Sequence, residues 1–241
     1  MSRHSHWAKI KRAKGAEDAK RGVVFTKLSR VITVAAKEKG TDPTTNFKLR
    51  LAMDEARAVN MPKDTILRAI ARASGGEDGA ELAEVTYEAI GPGGIAFMID
   101  ALTDNRNRTG GSLKTILSKH GASLAGVGAV RWQFNRKGMV RIPAEGLPAD
   151  GEAFELACID HGAEEIEKET EGWTVILSPE GLPAMLDHLT KQNITVAFSG
   201  LRWIPKTTVT ITDPSVAEML QRLGEALEED DDVVEVATNQ E

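Results

Sequence analysis

Apolar residues recur at helical spacing through the first third of the chain and at strand-like spacing beyond it. Across residues 20–39, Val24, Phe25, Leu28, Val31, Ile32 and Ala35 fall within one stripe about 120° wide at a helical increment, with Lys27, Arg30 and Lys37 opposite. Gly40 stops this helix. Thr44 or Thr45 offers an N-cap for a second, carrying Phe47, Leu51, Met53 and Ala56. Pro62 suits a first helical turn, and Ile66, Leu67, Ile70 and Ala73 continue a third helix to Ser74, with Gly75 placed as its C-cap. Three short amphipathic helices must bury their stripes against one another, which predicts a bundle over residues 1–80.

From Val85 the texture changes. Residues 85–90 alternate, Gly91-Pro92-Gly93-Gly94 turns, and 95–99 read as a buried strand. A helix through Leu113, Ile116 and Leu117 and a strand over 130–134 follow. After Lys137-Gly138 a new unit is expected: strand 139–142, helix 152–158, strands 164–169 and 173–177, helix 182–190, strand 195–204. That βαββαβ order is ferredoxin-like. Glu145-Gly146-Leu147-Pro148-Ala149 recurs as Glu180-Gly181-Leu182-Pro183-Ala184, ahead of each helix, as an internal half-repeat would give. A strand over 207–212, a helix over 216–227 and a strand over 233–237 complete the pattern. The expectation is an α+β multidomain protein: an N-terminal three-helix bundle (1–80) and two ferredoxin-like α/β domains, with 135–205 inserted into a discontinuous one formed by 81–134 and 206–241.

Composition narrows the class. Of 241 residues, 41 % are hydrophobic and 27 % charged, ordinary for a globular protein. A single cysteine, Cys158, excludes an intramolecular disulfide framework and a Cys-rich zinc site. No run approaches the ~18 apolar residues of a spanning helix, and no apolar segment follows the early charges as a secretory signal requires. A cytoplasmic protein without a membrane partner is expected.

Charge is unevenly spread. Residues 1–80 hold 17 lysines and arginines against nine acids, net +8, while the remainder holds 13 against 27, net −14. Within residues 1–30 the tally is nine to two. A basic head on an acidic body is the footprint of an element that meets a polyanion.

Catalytic chemistry finds no constellation. His4, His6, His120, His161 and His188 are scattered. Gly91-Pro92-Gly93-Gly94 precedes a strand and lacks the Lys-Ser/Thr ending of a phosphate loop, so it reads as a tight turn. Glu228-Glu229-Asp230-Asp231-Asp232 lacks calcium-loop spacing and reads as a solvated turn. Cys158 falls on an apolar helix face. No enzyme, cofactor, metal or small-molecule substrate is expected. In Thr103-Asp104-Asn105-Arg106-Asn107-Arg108-Thr109, an Asp or Asn can cap the following helix, and Arg106 and Arg108 can grip phosphate. Trp7 lies amid Lys9, Lys11, Arg12 and Lys14, where it either stacks on unpaired bases or tucks the arm against the body. With Lys20, Arg21, Lys27 and Arg30, these residues form the candidate nucleic-acid-binding set.

His4-Ser5-His6-Trp7-Ala8-Lys9-Ile10-Lys11, Asp18-Ala19-Lys20-Arg21-Gly22 with Phe25-Thr26-Lys27-Leu28, and Asn60-Met61-Pro62-Lys63-Asp64 resemble the YebC/PmpR family. So do Tyr87-Glu88, Gly91-Pro92-Gly93-Gly94 and Leu102-Thr103-Asp104-Asn105-Arg106-Asn107-Arg108-Thr109, in the same order over most of the chain. Departures are small: His6 stands where Lys is usual, Arg3 where Gly is usual, and Arg12-Ala13 in a His-basic slot. The resemblance implies three domains and no catalysis. Bacterial members are described as probable transcriptional regulators that bind DNA, others as ribosome-associated factors that help translation through proline-rich stretches. Mitochondrial relatives are translational activators of cytochrome c oxidase. The leading expectation is a DNA-binding transcriptional regulator. The alternative is a ribosome-associated factor that meets rRNA.

Overall fold

The computed structural model describes residues 17–74 and 82–241, with side chains from Arg21 onward in the first helix. Seven α-helices and two separate four-stranded sheets form among the described residues. In chain order they are α1 (Glu17–Lys39), α2 (Phe47–Ala58), α3 (Lys63–Ser74), β1 (Ala83–Ile90), β2 (Ala96–Thr103), α4 (Arg106–Lys119), β3 (Ser123–Leu124), β4 (Phe134–Pro143), α5 (Gly151–Asp160), β5 (Ala163–Glu169), β6 (Gly172–Leu177), α6 (Leu182–Lys191), β7 (Phe198–Pro205), α7 (Pro214–Glu229) and β8 (Val233–Thr238).

Contacts group the chain into two units. Among the described residues one holds 17–34, 82–135 and Trp203–Glu241; the other holds Ala35–Ser74 and Arg136–Arg202. Helix α1 contributes to both.

In the first unit the sheet order is β3-β1-β2-β8, and β2 is antiparallel to both its neighbours. Strand β2 is buried along almost its whole length because both of its faces are covered. Phe97 and Ile99 pack with Leu113 and Leu117 of α4 and with Leu220, Leu223 and Leu227 of α7, while Ala96 and Met98 face Val130, Phe134 and Trp203. Taken as β2-α4-β3 and β1 followed by α7-β8, this is the ferredoxin-like strand order, but with β1 placed ahead of the element it would normally follow. Two expected strands do not form. Residues 131–133 make a 3-10 turn, and 207–212 contribute a single bridge, Val209 to Gln240.

The second unit has sheet order β5-β6-β4-β7 with α5 and α6 as crossovers, the full βαββαβ arrangement. This unit resumes at Arg136, close to the start expected at Lys137-Gly138, but its strand β4 begins earlier than expected and runs through that pair. A Cβ at Gly138 would stand 3.1 Å from the Leu182 Cβ, so this glycine serves close packing rather than a turn. At Gly172 a Cβ would meet the Ile142 carbonyl oxygen at 2.1 Å, with φ at +138°.

The turn from α1 into α2 is built around Asn46, not the threonines before it. Its side chain accepts from the Leu49 N–H at 3.0 Å and donates to the carbonyls of Ala35 and Gly40, both at 2.7 Å. One fully buried amide thus closes the end of α1 and starts α2. Phe47 and Leu51 of α2 pack on the second unit's core with Val140, Ile142, Leu177 and Leu189. Cys158 lies in that core, and burial pushes its thiol up to about 11.

Candidate nucleic-acid interface

Lys27 and Arg30 lie one turn apart on α1, so their side chains project together. What they meet is the acidic segment between α7 and β8. The Lys27 ammonium donates to the Glu228 carbonyl. Arg30 donates to the Asp231 carbonyl at 2.8 Å and to the Asp232 carboxylate at 3.0 Å. From α4, Arg108 reaches the same carboxylate at 3.1 Å and Asp104 at 2.7 Å, and the Thr109 hydroxyl adds a bond to Asp232 at 2.7 Å. Asp230 is held by Ser112 at 2.6 Å and accepts from the Asp232 N–H.

Asp232 is therefore a hub and not part of a solvated turn; its residue is 7 % exposed. Burial works to raise its pKa, but the Thr109 and Arg108 bonds and the charges of Arg108 and Arg30 together hold it below the ordinary value. The Asp232 hydrogen bond, with help from Asp104, raises Arg108. Lys27 is lowered by burial, against the pull of Asp230, Glu228 and Asp231. The shallow cleft beside Lys27, lined also by Glu228 and residues 233–236, has a volume of about 30 Å³, room for about one water.

The candidate set thus separates. Arg30 and Arg108 converge on the Asp232 carboxylate, which satisfies them, and Lys27 nearby donates to the Glu228 carbonyl. Arg106 is exposed at the first turn of α4, where Asn105 is the N-cap and accepts from the Arg108 N–H at 3.0 Å. Arg21 is exposed on α1, and Lys20 lies in the same helix. Trp7, Lys9, Lys11, Arg12 and Lys14 lie outside the described residues, as do His4 and His6. The turn at 91–94 is a tight 3-10 turn, as its composition predicted.

Two groups of exposed cations went unremarked in the sequence. Lys63, Arg68 and Arg72 are exposed on α3. Helix α4 carries four basic residues and no acidic one, and Lys114 and Lys119 are exposed. The signal was present in the acid-free stretch 106–119, in a body otherwise dominated by carboxylates. Among the described residues no group of three or more His, Cys, Asp or Glu side chains is arranged to hold a metal. No helix there is long and apolar enough to cross a membrane.

Family profiles match nearly the whole chain: the TACO1/YebC protein N-terminal domain over residues 5–76, and the TACO1/YebC second and third domain over 82–240. The chain belongs to the TACO1/YebC family. Relatives named probable transcriptional regulatory protein include those of Thermosipho africanus, 47 % identical over 99 % of this chain and 93 % of the relative, and Desulfitobacterium hafniense, 42 % identical over 99 % and 95 %. The crystal structure of a conserved hypothetical protein from Aquifex aeolicus superposes with a TM-score of 0.88, at 39 % identity, over 98 % of this chain and 97 % of that one. A regulator of transcription is the function these family names carry, and it is not an enzyme class.

Proposed function

We propose that this protein is a DNA-binding regulator of transcription that acts without catalysis, through a basic helical domain over residues 1–80. The observation that carries the reading is the division of charge, net +8 over that segment and −14 over the rest. The names of the TACO1/YebC relatives support it. The profile boundary near residue 80 supports treating 1–80 as one domain, and the two separate sheets support dividing the rest into 81–134 with 206–241, and 135–205. Lys9, Lys11, Arg12, Lys14, Lys20 and Arg21, with Arg106, supply the contacts to phosphate, and Trp7 supplies a stacking surface among them. Lys27, Arg30 and Arg108 brace the acidic loop instead. The site of action is the cytoplasm.

The alternative, a ribosome-associated factor on rRNA, draws support from α3. Lys63, Arg68 and Arg72 are exposed on it, spread over half of its circumference with Asp64 among them, and it carries no side-chain amide, so it suits a backbone better than base edges in a major groove.

Fluorescence anisotropy on a labelled DNA duplex tests the reading. With about five phosphate contacts, log K falls with log salt at a slope of roughly −4 to −5. Replacing Lys9, Lys11 and Lys14 together by Glu abolishes binding and leaves the melting temperature unchanged. A flat salt response refutes the proposal. Co-sedimentation with ribosomes, with no discrete DNA crosslinking sites, transfers it to the alternative.

A further inference from the structure

Helix α4 departs from its surroundings in two ways. Its sequence, Arg106 to Lys119, has four cations and no carboxylate. It also carries two adjacent glycines, Gly110 and Gly111, in the middle of a helix that buries only Thr109, Leu113 and Leu117. Glycine is the costliest ordinary residue in a helix interior, and such a cost normally reflects a packing need. None exists at Gly111: a Cβ there would meet nothing within 4 Å, and at Gly110 it would make an ordinary contact of 3.7 Å with Tyr87.

The helical increment sorts the exposed side. Asn107, Gly111, Lys114 and Ser118 fall in one stripe about 60° wide. Thr115 borders it, Arg106 and Lys119 lie farther round the helix, about 80° beyond its two edges, and all seven residues are exposed. The face therefore presents Lys114 among short polar side chains and the bare backbone at Gly111, with Arg106 and Lys119 on the two sides of the helix. Arg106 and Lys114 stand two turns, about 12 Å, apart along the axis. Three nearby carboxylates are occupied: Asp104 by Arg108, Asp230 by Ser112, and Asp232 by Arg30, Arg108 and Thr109. Arg106, Lys114 and Lys119 make no side-chain ion pair among the described residues. Arg108 anchors the start of the helix, which leaves Arg106 to act outward.

We propose that this face of α4 is a second docking surface for the sugar–phosphate backbone of duplex DNA, in which Arg106, Lys114 and Lys119 contact phosphates and Gly111 admits the backbone against the helix. Charge complementarity selects the partner, and the missing side chain at Gly111 sets how closely it sits. The inference rests on the DNA-binding reading above but is independent of the arm at Lys9–Lys14 in its residues.

The test uses the full chain in anisotropy titrations on a DNA duplex at several salt concentrations. Replacing Arg106, Lys114 and Lys119 together by Gln reduces the magnitude of the salt slope by about 2–3 and weakens binding, with the melting temperature unchanged. Gly111→Ala is the sharper probe. It raises the melting temperature by about 2–4 °C, because it relieves an exposed helix interior of glycine, yet it weakens binding several-fold. If the wild type shows no salt-dependent binding, this proposal falls together with the proposed function. If it binds, and the triple Gln variant keeps the full slope or Gly111→Ala binds as tightly as the wild type, the α4 surface alone is refuted. Preference for an RNA duplex of the same length over DNA overturns the choice of partner.

Discussion

Replacing Asp232 by Asn keeps the size of the side chain and removes its charge, so the loss measures what the carboxylate does for the first unit. Asp232 accepts from Arg30, Arg108 and Thr109 at 3.0, 3.1 and 2.7 Å. The Asn amide would set its own N–H against at least one of these groups. Leaving a buried pair without one partner costs about 3–5 kcal/mol. Here the arginines keep partial access to water, with side chains 31 % and 54 % exposed, and screening reduces that figure. The expectation is about 2–3 kcal/mol, or a fall of roughly 4–12 °C in the first unit's melting transition, from the usual 2–4 °C per kcal/mol at this size. Calorimetry gives the transition, and amide exchange across α1 shows whether its first half loosens. The acid limb gives a second check. A carboxylate with a depressed folded pKa lends stability that is complete above its unfolded value and is lost as pH falls through the folded one. The gap between wild type and Asp232→Asn should thus be full at neutral pH and close as pH drops below the ordinary 3.8. A gap under about 1 kcal/mol at pH 7, or one that persists unchanged into acid, would show that solvent carries the bracing and refute the hub.

Glu88 makes a second test of a buried carboxylate. It accepts from the N–H groups of Gly128, Val130 and Arg131 at 2.6, 2.7 and 3.0 Å, which overcome the effect of burial and hold its pKa down. Glu88→Gln should cost about 1–2 kcal/mol and speed amide exchange at Val130; unchanged exchange there would mean that the 125–133 segment is held by other contacts. The Cys158 thiol, buried and pushed up to about 11, should react with a disulfide reagent at pH 8 only after denaturation. Prompt labelling of the native protein would show that the second unit's core opens readily.

The helices of the head were legible because an apolar stripe at 100° per residue is what an amphipathic helix needs and what a strand, with its period of two, does not produce. Helices α1 and α3 lie where their stripes put them. The second sheet was legible for a similar reason, as strand, helix, strand, strand, helix and strand follow in an uninterrupted order. The failures share a cause: a residue type with two uses. Gly138 stands close to the start of the second unit, as expected, yet it lies inside β4 as a close-packing position beside Leu182 and not at a break in the strand. Thr207 to Thr212 alternates like a strand, yet it has no partner strand beyond the bridge at Val209. Thr44 and Thr45 are good caps by type, but the buried amide of Asn46 satisfies two carbonyls as well as one N–H, which a hydroxyl cannot do.

The acidic run shows how such ambiguity reaches the functional site. Five carboxylates in a row are interchangeable in a sequence, whereas in the fold Asp232 is buried against Arg30, some two hundred residues earlier, and Asp231 is exposed. Loop closure over that length costs little more than over a shorter one, so sequence separation gives no hint of the contact. The charge tally must then be re-sorted by partner. The head loses Lys27 and Arg30 from its outward-facing cations, because the loop before β8 satisfies them. The body, net negative as a whole, gains a positive face at α4, where Arg106, Lys114 and Lys119 have no carboxylate on their own helix. A polyanion responds to local potential within about 10 Å at moderate salt, not to the sum over a domain. An acidic isoelectric point and a phosphate-binding surface on the acidic half of the chain are for that reason compatible.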